Sequence, residues 1–262
     1  MNLGVAGRVA LITGGSAGLG YATAAALARE GARIVLNGRD AERLAGAAAR
    51  LRADTGAQVH ELAADVSVRE EAAALVRNAG AAAGPVEILL CNAGGPPPGP
   101  FLEHDAAAWQ RALDANLLSA VNLSSAALPG MRERRWGRII CVGSIAAKEP
   151  QPGLILSTAA RAGLLGFAKS LADEVAADGV TVNVLCPGLI ATDRLRSLAA
   201  KRAPDGITLE EQMQRQAAGI PARRVGRPDE FGAVAAFLAS DLASYVTGTA
   251  LSVDGGLHRS IL

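Results

Sequence analysis

The sequence has almost no surplus of charge: 26 lysines and arginines stand against 25 aspartates and glutamates, a formal net charge of +1. A chain so balanced has no long-range field to gather nucleic acid or an anionic membrane. Arginine clusters at Arg132, Arg134, Arg135 and Arg138 and at Arg223, Arg224 and Arg227 read as solvated faces, offset by acids elsewhere. Cysteine is scarce too. Cys91, Cys141 and Cys186 each sit near the end of an aliphatic run, and no pair has metal-ligand or redox spacing, so buried thiols in a reducing compartment and no metal are expected. No stretch reaches the roughly 18 uncharged apolar residues that a membrane helix needs. The first residues form a short strand-like run broken by Arg8 and then a glycine cluster, with no basic-then-apolar targeting segment. A soluble, cytoplasmic protein with no nucleic-acid and no membrane partner is expected.

Half of the 262 residues are apolar and 19% are charged, enough for a large core in one α/β domain spanning 1–262. Short β-branched runs alternate with longer alanine-rich ones. Strands are expected at Arg8 to Thr13, Arg33 to Asn37, Gln58 to Ala63, Val86 to Cys91, Arg138 to Val142, Val180 to Cys186 and Ala250 to Val253. Helices are expected at Gly18 to Glu30, Ala41 to Ala53, Val68 to Ala82, Ala106 to Leu128, Leu154 to Ala177 and Asp229 to Ala239, the third opened by a capping box of Ser67 and Glu70. Right-handed crossovers between parallel strands then wind helices onto both faces of one seven-stranded parallel sheet, a doubly wound Rossmann-type domain. The polar, weakly helical stretch from Ala191 to Pro228 follows the sixth strand at the carboxyl edge and reads as a substrate lid. A rigid proline-rich run covers Gly94 to Pro100.

Directly after the first strand comes Thr13-Gly14-Gly15-Ser16-Ala17-Gly18-Leu19-Gly20, leading into a helix. Small residues there let backbone amides approach a dinucleotide pyrophosphate at the helix N-terminus, where unpaired N–H groups favour anions. Gly14-x-Ser16-x-Gly18 also fits a serine-hydrolase elbow, with His60, His104 or His258 as base. That elbow needs earlier strands and a loop supplying oxyanion amides, whereas about a dozen residues precede Ser16.

The glycine pattern Gly-x-x-x-Gly-x-Gly resembles that of the short-chain dehydrogenases/reductases, and further motifs follow in order across almost the whole chain. Asp65-Val66 is similar to the family's adenine-contacting pair, and Asn92-Ala93-Gly94 to its motif ending the fourth strand. Asn116 matches the asparagine anchoring a proton-relay water, and Ser144 the catalytic serine. Pro187-Gly188, with Ile190 and Thr192, resembles the segment receiving the nicotinamide, and Val253-Asp254-Gly255-Gly256 the C-terminal strand motif. After the second strand stand Asn37, Gly38 and Arg39: no carboxylate is there to repel a 2′-phosphate, and a guanidinium is there to hold one, so NADP(H) is expected over NAD(H). Ala17 stands where many NADP members of the family carry a second basic residue.

One departure stands out. The family's tyrosine and lysine, four residues apart, fall on Ser157 and Arg161, and the only tyrosines, Tyr21 and Tyr245, lie far away in sequence. Arg161 keeps a positive charge for the cofactor's ribose, but a serine hydroxyl is too weak an acid to replace a phenol. Losing a general acid typically costs roughly 10² to 10⁴ in rate. Lys148, four residues after Ser144, is the candidate replacement; His104, in the polar Glu103-His104-Asp105, is a weaker one. Three functions stay open: an oxidoreductase with another proton source or an activated, iminium-like small-molecule substrate, an NADP(H)-binding partner protein without turnover, and a non-redox lyase or epimerase. The resemblance further implies pairing of the two longest helices between subunits, in a homodimer or homotetramer.

Overall fold

Along the first strand, β1 (Val9–Ile12), side chains alternate: Val9 and Leu11 enter one hydrophobic core, Ala10 and Ile12 the other, and all four are buried. A strand apolar on both faces needs cover on both sides. In the computed structural model, which describes residues 2–202 and 207–261, that cover is two layers of helices. β2 (Arg33–Gly38), β3 (Val59–Ala63), β4 (Val86–Cys91), β5 (Gly137–Val142), β6 (Val180–Pro187) and β7 (Ala250–Val253) complete a sheet ordered β3-β2-β1-β4-β5-β6-β7. Every pairing is parallel. The helices α1 (Gly18–Arg29), α2 (Ala41–Thr55) and α9 (Pro228–Leu238) pack on one face, and α3 (Arg69–Ala83), α5 (Ser119–Glu133) and α6 (Ile155–Val175) on the other. The chain winds outward from β1 in both directions, so the strand order reverses between β1 and β4 and a crevice opens at their carboxyl ends.

Strand and helix ends match the expected ones to within two residues, with one exception. The single helix expected over Ala106 to Leu128 is instead α4 (Ala106–Leu113), a π-helical turn (Asp114–Leu118) and α5, which runs on to Glu133. Side chains at that turn reach back to carbonyls one turn earlier: Asn116 Nδ2 donates to Ala112 O at 3.1 Å and Ser119 Oγ to Ala115 O at 2.6 Å. Such competition for backbone acceptors is what widens a helix locally.

The capping box expected at Ser67 and Glu70 does not form. The Ser67 amide and hydroxyl both donate to Asp65 Oδ1, at 3.0 and 2.7 Å, and α3 starts after Val68 without a side-chain cap. A carboxylate two residues upstream is the stronger acceptor and takes the serine. The box stands instead at Thr208 and Glu211, opening α8 (Leu209–Ala218). With α7 (Asp193–Arg202), the stretch expected to be weakly helical between Ala191 and Pro228 thus holds two helices. Its residues 203–206 lie outside the described residues.

Phe231 on α9 is 0% exposed and fills the core between α1, β5 and β6. Phe231→Ala should therefore cost about 3–5 kcal/mol of stability, whereas Leu102→Ala, at a position 91% exposed, should change it by less than about 0.5 kcal/mol. Denaturant unfolding distinguishes the two, and equal midpoints would place α9 outside the core.

Candidate active site

The crevice is built where β1 and β4 end. Thr13 Oγ1 donates to Asn92 O at 2.8 Å and accepts from Asn92 N at 2.8 Å, while Asn92 Nδ2 reaches Thr13 O and Gly14 O at 3.2 and 3.3 Å. The chain turns at Gly14, whose φ is +57°, and passes so close to α1 that a Cβ on Gly20 would stand 2.3 Å from Gly14 O. Only glycine fits at either place. The α1 N-terminus has no side-chain cap and no acidic residue in its first turn. Its amides face outward beside this cradle, an arrangement that fits a pyrophosphate.

Asn37, buried at the end of β2, donates from Nδ2 to Leu62 O and Ala64 O at 3.0 and 3.2 Å, and so sets where Gly38 and Arg39 emerge. The Arg39 guanidinium lies 3.8 Å from Asp65 Oδ2 with its side chain 77% exposed. Burial pushes the Asp65 carboxyl up, but the Ser67 hydroxyl and amide and Arg39 together hold it below the usual carboxylate range. A cleft of about 570 Å³ runs between these ends. Gly14, Ser16, Gly38, Arg39, Asp65, Val66, Asn92, Ala93, Gly94 and Asn116 line it.

Other candidate residues lie beyond that lining. Thr192 Cγ2 is 3.4 Å from where a Gly18 Cβ would be, so the 187–192 segment meets the glycine loop. Gly188 donates from N to Val253 O at 3.0 Å, and Ile190 is buried beside Gly226. Ala17 and Leu19 belong to the start of α1, with Leu19 half-buried against the core.

Toward β5 and β6, Ser144 stands two residues after β5 and accepts from Ala146 N at 3.1 Å. One turn apart on α6, Ser157 and Arg161 are 8% and 9% exposed, and Arg161 Nη1 donates to Ser157 Oγ at 2.6 Å. Burial first, and Arg194 second, draw the Arg161 guanidinium down to about 10, with Cys186 opposing, so the group remains charged at neutral pH. Burial also pushes the Cys186 thiol up, against the pull of Lys148, the Ser144 amide and Arg161. Ser144, Lys148 and Arg161 thus all act on the same thiol. Neither tyrosine is close by: Tyr21 packs on the opposite core under the Arg50 guanidinium, and Tyr245 is fully exposed.

Cys186 and Arg194 were not legible as site residues. Cys186 is one more apolar position in a strand, and Arg194 is one arginine in a charge-rich segment. Nor does a hydrolase elbow assemble at Ser16. His60 lies in β3, His104 contacts Gly99 O at 3.2 Å, and His258 pairs through Nδ1 with Asp254 Oδ2 at 2.5 Å, its Nε2 being 3.4 Å from Ser252 Oγ. Among the described residues no cluster could hold a metal, and no helix is long and apolar enough to cross a membrane.

The family profile described as enoyl-(acyl carrier protein) reductase matches residues 14–258. Nodulation protein G of Azospirillum brasilense is 38% identical, over 96% of this chain and 98% of that protein. Acetoacetyl-CoA reductase of Shinella zoogloeoides is likewise 38% identical, over 95% and 98%. Among solved structures, L-sorbose reductase of Gluconobacter frateurii, in complex with NADPH and L-sorbose, superposes with a TM-score of 0.95 at 36% identity over 100% of both chains. The chain belongs to the short-chain dehydrogenase/reductase family, whose members are NAD(P)-dependent oxidoreductases.

Gly20→Ala would press a methyl group against Gly14 O and Asn92 Nδ2. It should weaken NADPH binding at least tenfold, about 1.4 kcal/mol, with the circular dichroism spectrum unchanged. Fluorescence titration checks this, and an unaltered Kd would move the pyrophosphate away from the glycine loop.

Proposed function

We propose that the protein is an NADP(H)-dependent oxidoreductase that moves hydride between the nicotinamide and a small carbonyl, alcohol or activated iminium-like substrate, without a tyrosine as proton donor. The observation carrying this reading is the buried Ser157–Arg161 pair, whose guanidinium reaches Gly95 on the wall of the cleft, with Ser144, Lys148 and Arg161 all acting on the Cys186 thiol. The cofactor supplies the hydride when bound. Gly14, Ser16, Ala17, Gly18, Leu19 and Gly20 hold its pyrophosphate. Gly38 and Arg39 take the 2′-phosphate, and Asp65 and Val66 the adenine. Asn92, Ala93, Gly94 and Arg161 position the riboses, while Pro187, Gly188, Ile190 and Thr192 receive the nicotinamide. The NADPH held by L-sorbose reductase supports the cofactor assignment.

Ser144 is suited to polarise a carbonyl. Its oxygen already accepts from Ala146 N, which leaves its own proton free for the substrate oxygen. Asn116, on the π-helical turn, borders the cleft where a relay water would sit. Lys148 is half-buried at the end of the 145–147 turn and is the protic group assigned to the missing phenol's role. The segment 191–228 acts as the lid over this end, and α5 and α6 pair between subunits of a homodimer or homotetramer. The protein works in the cytoplasm.

Ser157→Tyr combined with Arg161→Lys should raise carbonyl reduction at least tenfold, followed as NADPH oxidation over a panel of ketones and aldehydes. No gain with cofactor still bound would mean that the proton path has been rebuilt more deeply. Arg39→Asp should reverse the nucleotide preference, weakening NADPH at least tenfold while leaving NADH within about threefold, because the carboxylate repels the 2′-phosphate. Equal losses for both nucleotides would separate Arg39 from the choice of cofactor.

A further inference from the structure

Arg161 carries its charge at a buried position. The residue is 9% exposed, its Nε is buried without a hydrogen-bond partner, and its Nη1 is taken by the neutral Ser157 hydroxyl. Among the described residues no carboxylate lies within ion-pair distance of it. A second guanidinium comes to the same spot. A Cβ on Gly95 would stand 3.2 Å from Arg194 Nη2 and 3.7 Å from Arg161 Nη2. Arg194 reaches over from α7 and donates to Pro96 O at 2.7 Å, and Gly95 and Pro96 are both on the wall of the cleft. Lys148 adds a third cation on the Cys186 side.

Burying a guanidinium without a counter-charge of its own is costly unless an anion arrives to pair with it. The nucleotide does not supply it in the proposed pose. Its phosphates lie at the glycine loop and at Arg39, and a ribose hydroxyl takes one N–H without bringing charge. With Nη1 occupied, the Nε/Nη2 edge of Arg161 remains, and that edge presents two parallel donors at the spacing of a carboxylate.

We infer that the substrate is an oxo acid, its carboxylate docking side-on against the Nε/Nη2 edge of Arg161 with Arg194 closing over it. The word substrate rests on the oxidoreductase reading; the anion site does not. Arg194 would join the incoming carboxylate from the 193–202 helix and so tie α7 to the cleft when an acid is present.

The test is equilibrium binding, by calorimetry, of 2-, 3- and 4-oxo acids and their methyl esters to the full chain, with NADPH bound and without it. At least one acid should bind ten or more times tighter than its ester in both states. That ratio should fall at least fivefold in Arg194→Gln and vanish in Arg161→Met, whereas Arg161→Lys should keep part of it. Circular dichroism and thermal unfolding show that each variant is folded. Esters binding as tightly as acids, binding of neither, or an acid preference that survives Arg161→Met would overturn the inference. So would a preference lost once NADPH is bound, because the anion would then be the cofactor's own phosphate. Turnover is read separately: acid preference without NADPH oxidation removes the oxidoreductase reading and leaves the anion site standing, and turnover of neutral ketones alone does the reverse.

Discussion

Thr13 and Asn92 close the seam between β1 and β4 at the point where the strand order reverses. Thr13 Oγ1 both accepts the Asn92 amide and donates to carbonyls across the seam, and Asn92 Nδ2 caps the carbonyls of Thr13 and Gly14. Beyond this point the two chains part, one to α1 and the other to the proline-rich run, and their backbone groups would otherwise be left unpaired. Because the side chains satisfy them, Gly14 can turn in the left-handed region and Gly20 can lie against it. The uncapped amides of α1 then face the crevice.

The other end of the crevice is governed by charge. A lysine in place of Arg161 could be shifted far enough by burial to exchange its proton near neutral pH, but a guanidinium drawn down to about 10 remains a fixed cation. Arg161 therefore contributes orientation and field and no proton, and Ser157, as its hydrogen-bond acceptor, is held in place by it. In the proposed reaction the proton is therefore assigned to Lys148 and the Ser144 hydroxyl.

Much of the architecture could be read from local pattern. Two-residue alternation in β1 and unbroken apolar runs such as that of β4 mark strands buried on both faces, and the alanine-rich runs between them are the crossover helices. Legibility failed where side chains compete for the same backbone group. Ser67 and Glu70 have the spacing of a capping box, but Asp65 captures the serine, and that contest is decided by geometry across a turn. The run from 106 to 133 is helical throughout by composition, and only the reach of Asn116 and Ser119 back to their carbonyls shows that a π-helical turn interrupts it.

The sequence by itself determined the sheet, its parallel strands and the glycine loop, because each depends on residue type at a local spacing. Only the tertiary structure decided which distant groups share a volume. Arg194 comes from a segment with no distinguishing pattern, and Cys186 from an ordinary apolar strand, yet both act electrostatically on Arg161. The physical reason is range. Periodicity and propensity act over a few residues, whereas burial and the interaction between charges depend on what the fold brings within a few ångströms, whatever the separation along the chain.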